Sequence, residues 1–371
     1  MNKADTLVAI ETFDKVNTGL LSHLTNSGLS VRKNETGKIL DYESNAEIYS
    51  GVKYIIAGLE KYDQNFFEKF PSVEAISRIG VGVDAIDLVA AKKNNVSIYI
   101  TSDKPSVAVA ELCIANMISL LRNTYQMSND LKSGRWHPIE GKEIRNCRIG
   151  IVGLGSIGKQ VAKRVYAFGS EIIAYGRTWN IEFANKYKIK KVSLSNLIKL
   201  SDIITVHLPY EDDTRNIINK KLIETLVPGA VLINTSRSGV IDNLALRDAV
   251  IEKKLSGVAI DVFDEHRNIS PWEDVENVIL TPHIGSHTRE TRKAMEETAV
   301  SNLLAHYQLS KEPDLKKRAT INTDKARCKY INFGSASSCP KLSSMMANKK
   351  RTIIAPAYIN TSRTARKYAS N

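Results

Sequence analysis

Three side chains able to bind anions or move protons stand directly after apolar runs in the second half of the chain. They are Arg237 in Asn234-Thr235-Ser236-Arg237-Ser238-Gly239, Asp261 in Ala259-Ile260-Asp261-Val262-Phe263, and His283 in Thr281-Pro282-His283-Ile284-Gly285. A planar guanidinium binds a carboxylate through two parallel hydrogen bonds. An imidazole ordinarily titrates near neutrality and so both gives and takes a proton. Upstream, Gly153-Leu154-Gly155-Ser156-Ile157-Gly158 lies between the strand-like run Arg148–Val152 and the helical run Lys159–Val165. In that setting the first glycine makes the turn, the second lets the backbone approach a pyrophosphate, and the third lets helix and strand pack closely. The helix N-terminus adds free N–H groups for phosphates.

Ligands of open parallel sheets sit beyond the carboxyl ends of the strands. Arg, Asp and His sharing that rim with a glycine-rich turn fit one chemistry well: hydride transfer between a nicotinamide, NAD or NADP, and a small 2-hydroxy acid or its 2-keto form. Arg237 would hold the carboxylate and carbonyl oxygen, His283 would move the hydroxyl proton, and Asp261 would orient the nicotinamide end. An NAD site usually carries Asp or Glu about 20 residues past the turn for the ribose hydroxyls. Here Tyr175-Gly176-Arg177-Thr178 follows the second strand-like run, without that carboxylate. Arg177 suits a 2′-phosphate, which favours NADP over NAD.

These residues need an α/β framework. Apolar runs at 6–10, 54–57, 73–79, 148–152, 171–175, 203–208, 230–234, 257–262 and 278–280 alternate with helical patterns, predicting parallel sheets. The last six are the number a complete doubly wound dinucleotide domain needs. The net charge of +12 is concentrated near one end. Residues 312–371 carry 13 Lys/Arg against 3 Asp/Glu, and the rest carries 39 against 37. The body therefore has no charge reason to bind nucleic acid. The basic tail, rich in polar residues and without an apolar period, is expected to be disordered, and a role with nucleic acid or an acidic partner stays open for it. Cys113, Cys147, Cys328 and Cys339 show neither zinc nor disulfide spacing, so no metal site is indicated. No apolar run reaches the ~18 residues of a membrane span, and no secretory leader is visible. The expected location is the cytoplasm.

The ordered motifs make the chain, from about residue 5 to 310, similar to the D-isomer-specific 2-hydroxyacid dehydrogenases, most closely their D-3-phosphoglycerate dehydrogenase-like branch. Besides the segments above, they include Ser77-Arg78-Ile79-Gly80-Val81-Gly82-Val83-Asp84-Ala85-Ile86-Asp87, Val109-Ala110-Glu111-Leu112 and Ser201-Asp202-Ile203-Ile204-Thr205-Val206-His207-Leu208-Pro209. The resemblance implies two Rossmann-like domains. A coenzyme domain, 103–284, is inserted into a flavodoxin-like substrate domain, 1–102 with 285–311. It implies that Val81 and Gly82 present backbone N–H groups to the substrate carboxylate beside Arg237. It also implies coenzyme contacts from Gly153, Gly155, Ser156, Ile157, Gly158, Leu208, Pro209, Thr214, Thr235, Ser236, Asp261 and His283. Ser106–Arg122 resembles the long helix that crosses between domains and builds a homodimer, with Trp136 in the arm that follows.

One position departs from the family pattern. The family pairs its histidine with a glutamate five residues after the aspartate that matches Asp261. Here that count reaches His266, followed by Arg267, with Glu265 one residue earlier. A one-residue deletion would bring Glu265 into register as the partner of His283. Otherwise the enzyme is weakened or inactive, which keeps open a second function, a nucleotide-binding regulator on the same fold. Phosphohydroxypyruvate or 3-phosphoglycerate is the first substrate expectation, and glyoxylate or hydroxypyruvate the second. Arg78 is a candidate for a distal phosphate or for a plain surface role.

Overall fold

The computed structural model describes residues 4–263 and 269–311, all within one compact unit. Two parallel sheets organise them. The first contains β1 (Thr6–Val8), β2 (Val31–Lys33), β3 (Tyr54–Ala57), β4 (Ala75–Arg78) and β5 (Ser97–Ile100), in the order β2-β1-β3-β4-β5. The second contains β6 (Arg148–Val152), β7 (Glu171–Tyr175), β8 (Lys190–Lys191), β9 (Ile203–Val206), β10 (Ala230–Asn234), β11 (Leu255–Ile260) and β12 (Val278–Leu280), in the order β12-β11-β10-β9-β6-β7-β8. Both are doubly wound, and the order of the second reverses between β6 and β9, where such sheets open a ligand crevice.

The central strands are buried and largely apolar because helices cover both faces of the sheet. Every residue of β9 and β10 is buried. The edge strand β8 is two exposed lysines, which discourages pairing with another chain. The helix Ser106–Leu121 crosses from the first sheet to the second and packs on the helix Ser156–Ala167 and on β10 and β11. The helix Arg289–Lys311 brings the chain back to β3, β4 and β5. There Ser77 Oγ donates to the Ala299 carbonyl at 2.9 Å.

The runs predicted at 54–57, 148–152, 171–175, 230–234 and 278–280 coincide with observed strands. The run at 257–262 begins two residues earlier, at Leu255, and stops at Ile260. Three short strands, β2, β5 and β8, were not anticipated. The tail 312–371 and the segment containing Glu265 and His266 lie outside the described residues.

Candidate active site

Register decides where the site lies. Val152 pairs with Val206 and with Tyr175, Val206 with Asn234, Asn234 with Ile260, and Ile260 with Leu280. Six strands thus end level, and the residues after them share one rim. Arg237 rises from β10 and His283 from β12, two strand spacings or about 10 Å apart along the rim. A shallow cavity of about 420 Å³ opens at the opposite rim, beside Arg148 and Glu171 at the strand starts. None of the anticipated site residues lines it.

Arg237 is aimed by its own turn. Asn234 Oδ1 accepts from the Ser236 N–H at 3.0 Å and from Ser236 Oγ at 2.9 Å, and Asn234 Nδ2 donates to the Arg237 carbonyl at 3.0 Å. This side-chain turn is a local habit of asparagine. Arg237 Nη1 then donates to the Ser236 carbonyl at 2.7 Å, and Nε to Asp84 Oδ2 at 2.6 Å. Its Nη2 lies against Gly82, where any Cβ would overlap it. A side chain at 82, in the loop leaving β4, would have to displace the guanidinium. The five-stranded sheet and β10 meet at this contact.

Arg78 ends β4 beneath the same loop. Only 8% of it is exposed, which excludes the surface role, and its Nε is buried without a hydrogen-bond partner. Burial, with Arg237 nearby, lowers its pKa to about 10. Glu60, also buried, accepts from the Gly58 N–H at 2.6 Å, and burial raises its pKa.

Asp261 is 1% exposed and holds the turn that carries His283. Its Oδ1 accepts from Thr281 Oγ1 at 2.6 Å and from the Ile284 N–H at 2.8 Å, and Oδ2 accepts from the Gly285 N–H at 2.8 Å. Between those bonds His283 adopts φ 57°, the left-handed region. The anticipated partners Glu265 and His266 lie outside the described residues.

The glycine-rich turn has the geometry a pyrophosphate needs. Gly153 takes φ 101°, and a Cβ there would come within 2.6 Å of the His207 carbonyl. A Cβ on Gly158 would overlap the Gly153 carbonyl. At Gly155 a Cβ would meet nothing within 4 Å, so the space over the second glycine is open at the helix N-terminus. Ile157 and Leu208 pack on the neighbouring cores, Pro209 is exposed, and Ser236 and Thr235 are buried, with Thr235 Oγ1 3.2 Å from Cys113 Sγ. Burial pushes the Cys113 thiol up to about 11. Thr214 Oγ1 donates to the Pro209 carbonyl at 2.7 Å and accepts from the Glu211 N–H at 2.8 Å, so its hydroxyl staples its own loop.

Two features escaped the sequence. Ser156 Oγ donates to Asp103 Oδ1, which sets a carboxylate at the helix N-terminus. Arg177 is paired with Asp213 at 2.9 Å and Glu211 at 3.1 Å. The segment after β7 lacks a carboxylate, as the sequence shows, but the turn after β9 brings two to Arg177.

Residues 114–285 match the family model described as D-isomer specific 2-hydroxyacid dehydrogenase, NAD binding domain. Glyoxylate reductase from Thermococcus litoralis is 33% identical over 278 residues, 71% of this chain and 83% of that protein. The chain belongs to the D-isomer-specific 2-hydroxyacid dehydrogenase family. The dehydrogenase is also 37% identical over 238 residues to D-3-phosphoglycerate dehydrogenase from Methanocaldococcus jannaschii, 63% of this chain but 45% of that protein. The solved glyoxylate reductase from Paecilomyes thermophila superposes with a TM-score of 0.72 at 28% identity, covering 82% of this chain and 95% of that one. The dehydrogenase is thus a nicotinamide-dependent oxidoreductase of the 2-hydroxy acid type, with the two-sheet Rossmann arrangement of its relatives. Nothing in these relatives favours a nucleotide-binding regulator.

Proposed function

We propose that the dehydrogenase interconverts a small D-2-hydroxy acid and its 2-keto acid, with Arg237 and the Val81–Gly82 loop binding the carboxylate and His283 moving the proton. The observation that carries this reading is the Arg237 guanidinium, pinned at Nε and Nη1 with Nη2 against a side-chain-free Gly82. A carboxylate entering there meets Nη2 and the loop backbone. The nicotinamide, when bound, supplies or accepts the hydride at the carbinol carbon. In reduction, the Arg237 charge polarises the carbonyl and protonated His283 delivers the proton that makes it a hydroxyl. Oxidation runs the same proton back to neutral His283. Glu265 would pair with the imidazole and favour its charged form.

The coenzyme would lie over Gly155, with Gly153, Ser156, Ile157 and Gly158 at the pyrophosphate. Leu208 and Pro209 would line the rest of the crevice, and buried Thr214, Thr235, Ser236 and Asp261 would shape it from behind. Arg177 gives a 2′-phosphate a cation, but the phosphate must compete with Glu211 and Asp213. The enzyme accordingly accepts both NAD and NADP. The substrate side comprises residues 1–102 and 285–311, and the coenzyme side 103–284.

Arg78 favours a substrate with a second acidic group. A buried guanidinium with an unpartnered Nε, one loop below Gly82, calls for an anion. Phosphohydroxypyruvate or 3-phosphoglycerate meets that demand better than glyoxylate or hydroxypyruvate. We take the active form to be a cytoplasmic homodimer built on Ser106–Leu121 and the arm after it, where Val107, Ile118 and Trp136 are exposed, Trp136 to 85%.

The test is NADH and NADPH oxidation against a panel of 2-keto acids with and without a second acidic group. Turnover lost in Arg237→Gln, with coenzyme binding retained, supports the assignment. No turnover of any 2-keto acid by the wild type would end it. A preference for glyoxylate over every doubly acidic substrate would remove the role given to Arg78.

A further inference from the structure

We propose that Glu211 and Asp213, on the turn after β9, are specificity-determining residues for the coenzyme, acting by competition with the 2′-phosphate for Arg177. The inference rests on the reading of the β6 crevice as the coenzyme site, and it adds residues from a different strand to the discrimination.

Topology brings the three side chains together. β7 and β9 are the two neighbours of β6, one on each side. Arg177 stands two residues beyond β7, and Glu211 and Asp213 stand five and seven residues beyond β9. An ion pair between those loops therefore spans the carboxyl end of β6, where the glycine-rich turn begins. The segment before Arg177 already abuts that turn, since a Cβ at Gly176 would lie 3.4 Å from the Leu154 nitrogen. The bridge crosses the end of the crevice where the residue after β7 meets the adenosine ribose.

The acidic turn is built rather than loose. Buried Thr214 bonds the Pro209 carbonyl and the Glu211 N–H, and its own N–H donates to the Glu211 carbonyl at 3.0 Å. Arg215 Nε donates to Tyr210 Oη at 2.9 Å, and the Tyr210 ring packs over Gly239, where a Cβ would come within 2.5 Å of it. The carboxylates are thereby held opposite Arg177. Pairing with Glu211 first, and with Asp213, raises the Arg177 pKa above its ordinary value.

The consequence is a competition decided by charge. A 2′-phosphate carries about −1.5 to −2 and gains Arg177 only by displacing two carboxylates, which then repel it. A 2′-hydroxyl carries no charge and donates to a carboxylate directly. All three side chains are exposed, so each pairing has the modest, salt-sensitive strength of a surface ion pair.

The experiment is a fluorescence titration of full-length wild type, Glu211→Gln/Asp213→Asn and Asp213→Asn with NADH and NADPH, at low and high ionic strength. The double substitution should tighten NADPH relative to NADH by about tenfold at low salt, the combined scale of two surface charge pairs. The single one should do so by about threefold. Both shifts should shrink on the order of severalfold in high salt. If NADH and NADPH move together, or the ratio changes less than about twofold, the inference is overturned while the coenzyme site stands. A wild type that binds neither dinucleotide would overturn the site itself. Asp213→Asn keeps the test available should the double variant fail to fold.

Discussion

Arg237 Nε donates to Asp84 Oδ2 at 2.6 Å, joining a turn of the seven-stranded sheet to a loop of the five-stranded one across 153 positions of sequence. With Nη1 committed to the Ser236 carbonyl, the pair leaves Nη2 as the part of the guanidinium turned to Gly82. If Arg237 binds the substrate as proposed, Asp84 is a positioning residue. Asp84→Asn should lower kcat/KM by ~10- to 100-fold, mostly through KM, because a displaced guanidinium loses alignment with the substrate. Arg237→Lys should cost ~100-fold or more, since a lysine cannot reproduce the fork. Coenzyme dissociation constants should not change in either variant. An unchanged KM in Asp84→Asn would mean that Arg237 is placed by its own turn alone.

Asp103 stands against Ser156 at the helix N-terminus that faces the open space over Gly155. A pyrophosphate arriving there meets a like charge. Asp103→Asn should tighten both NADH and NADPH by ~3- to 10-fold at low salt, the scale of one charge removed at a few ångströms in water. Equal affinities in wild type and variant, measured by calorimetry, would show that the carboxylate swings clear without penalty.

The partner of His283 is decided by two substitutions. If Glu265 serves, Glu265→Gln should slow reduction and move its pH optimum down, because a carboxylate stabilises imidazolium and its loss lowers the imidazole pKa. If His266 stands in the partner position, His266→Glu should speed reduction by ~10-fold or more, within the ~100- to 10,000-fold range of acid–base assistance. An active wild type that neither change affects would show that His283 needs neither residue.

His207 gives a pH prediction for stability. Burial lowers its pKa to about 3, well below the ordinary value of 6.5, and its Nδ1 is buried without a hydrogen-bond partner. A depressed histidine pKa means that the unfolded chain takes up the proton first. Its contribution is present in full above about pH 6.5 and declines as pH falls from there towards about 3. The melting temperature of the wild type should therefore drop more steeply than that of His207→Gln between about pH 7 and about pH 4. Parallel curves would place the acid sensitivity elsewhere.

Much of the framework was legible because central parallel strands are buried on both faces, leaving apolar runs such as Ala230–Ile233 that stand out from their surroundings. The strands that escaped lack that signal. Val31–Lys33 is half-buried and carries Arg and Lys, and Lys190–Lys191 is wholly exposed. Arg237, Asp261 and His283 were legible as candidates because each follows a strand and carries a distinctive group. Their partners were not. Asp84 and Arg237 meet only when two sheets come together, and Glu211 finds Arg177 only once β7 and β9 are known to flank β6. Asp103 lies in the segment that crosses between sheets, where nothing local announces a contact 53 residues away.

The left-handed backbone of His283 has a consequence for how this family member can be tuned or lost. A side chain in that region carries a steric penalty of ~1 kcal/mol or more, tolerated where neighbouring bonds hold the turn. The three bonds to Asp261 do so from below, and those bonds engage no atom of the imidazole itself. The turn that carries the imidazole is therefore held through peptide groups. If His283 moves the proton as proposed, a drift at Asp261, Thr281 or Gly285 would slow catalysis while leaving His283 and Arg237 themselves in place. A chain can cease to be an enzyme without any change in its list of catalytic residues.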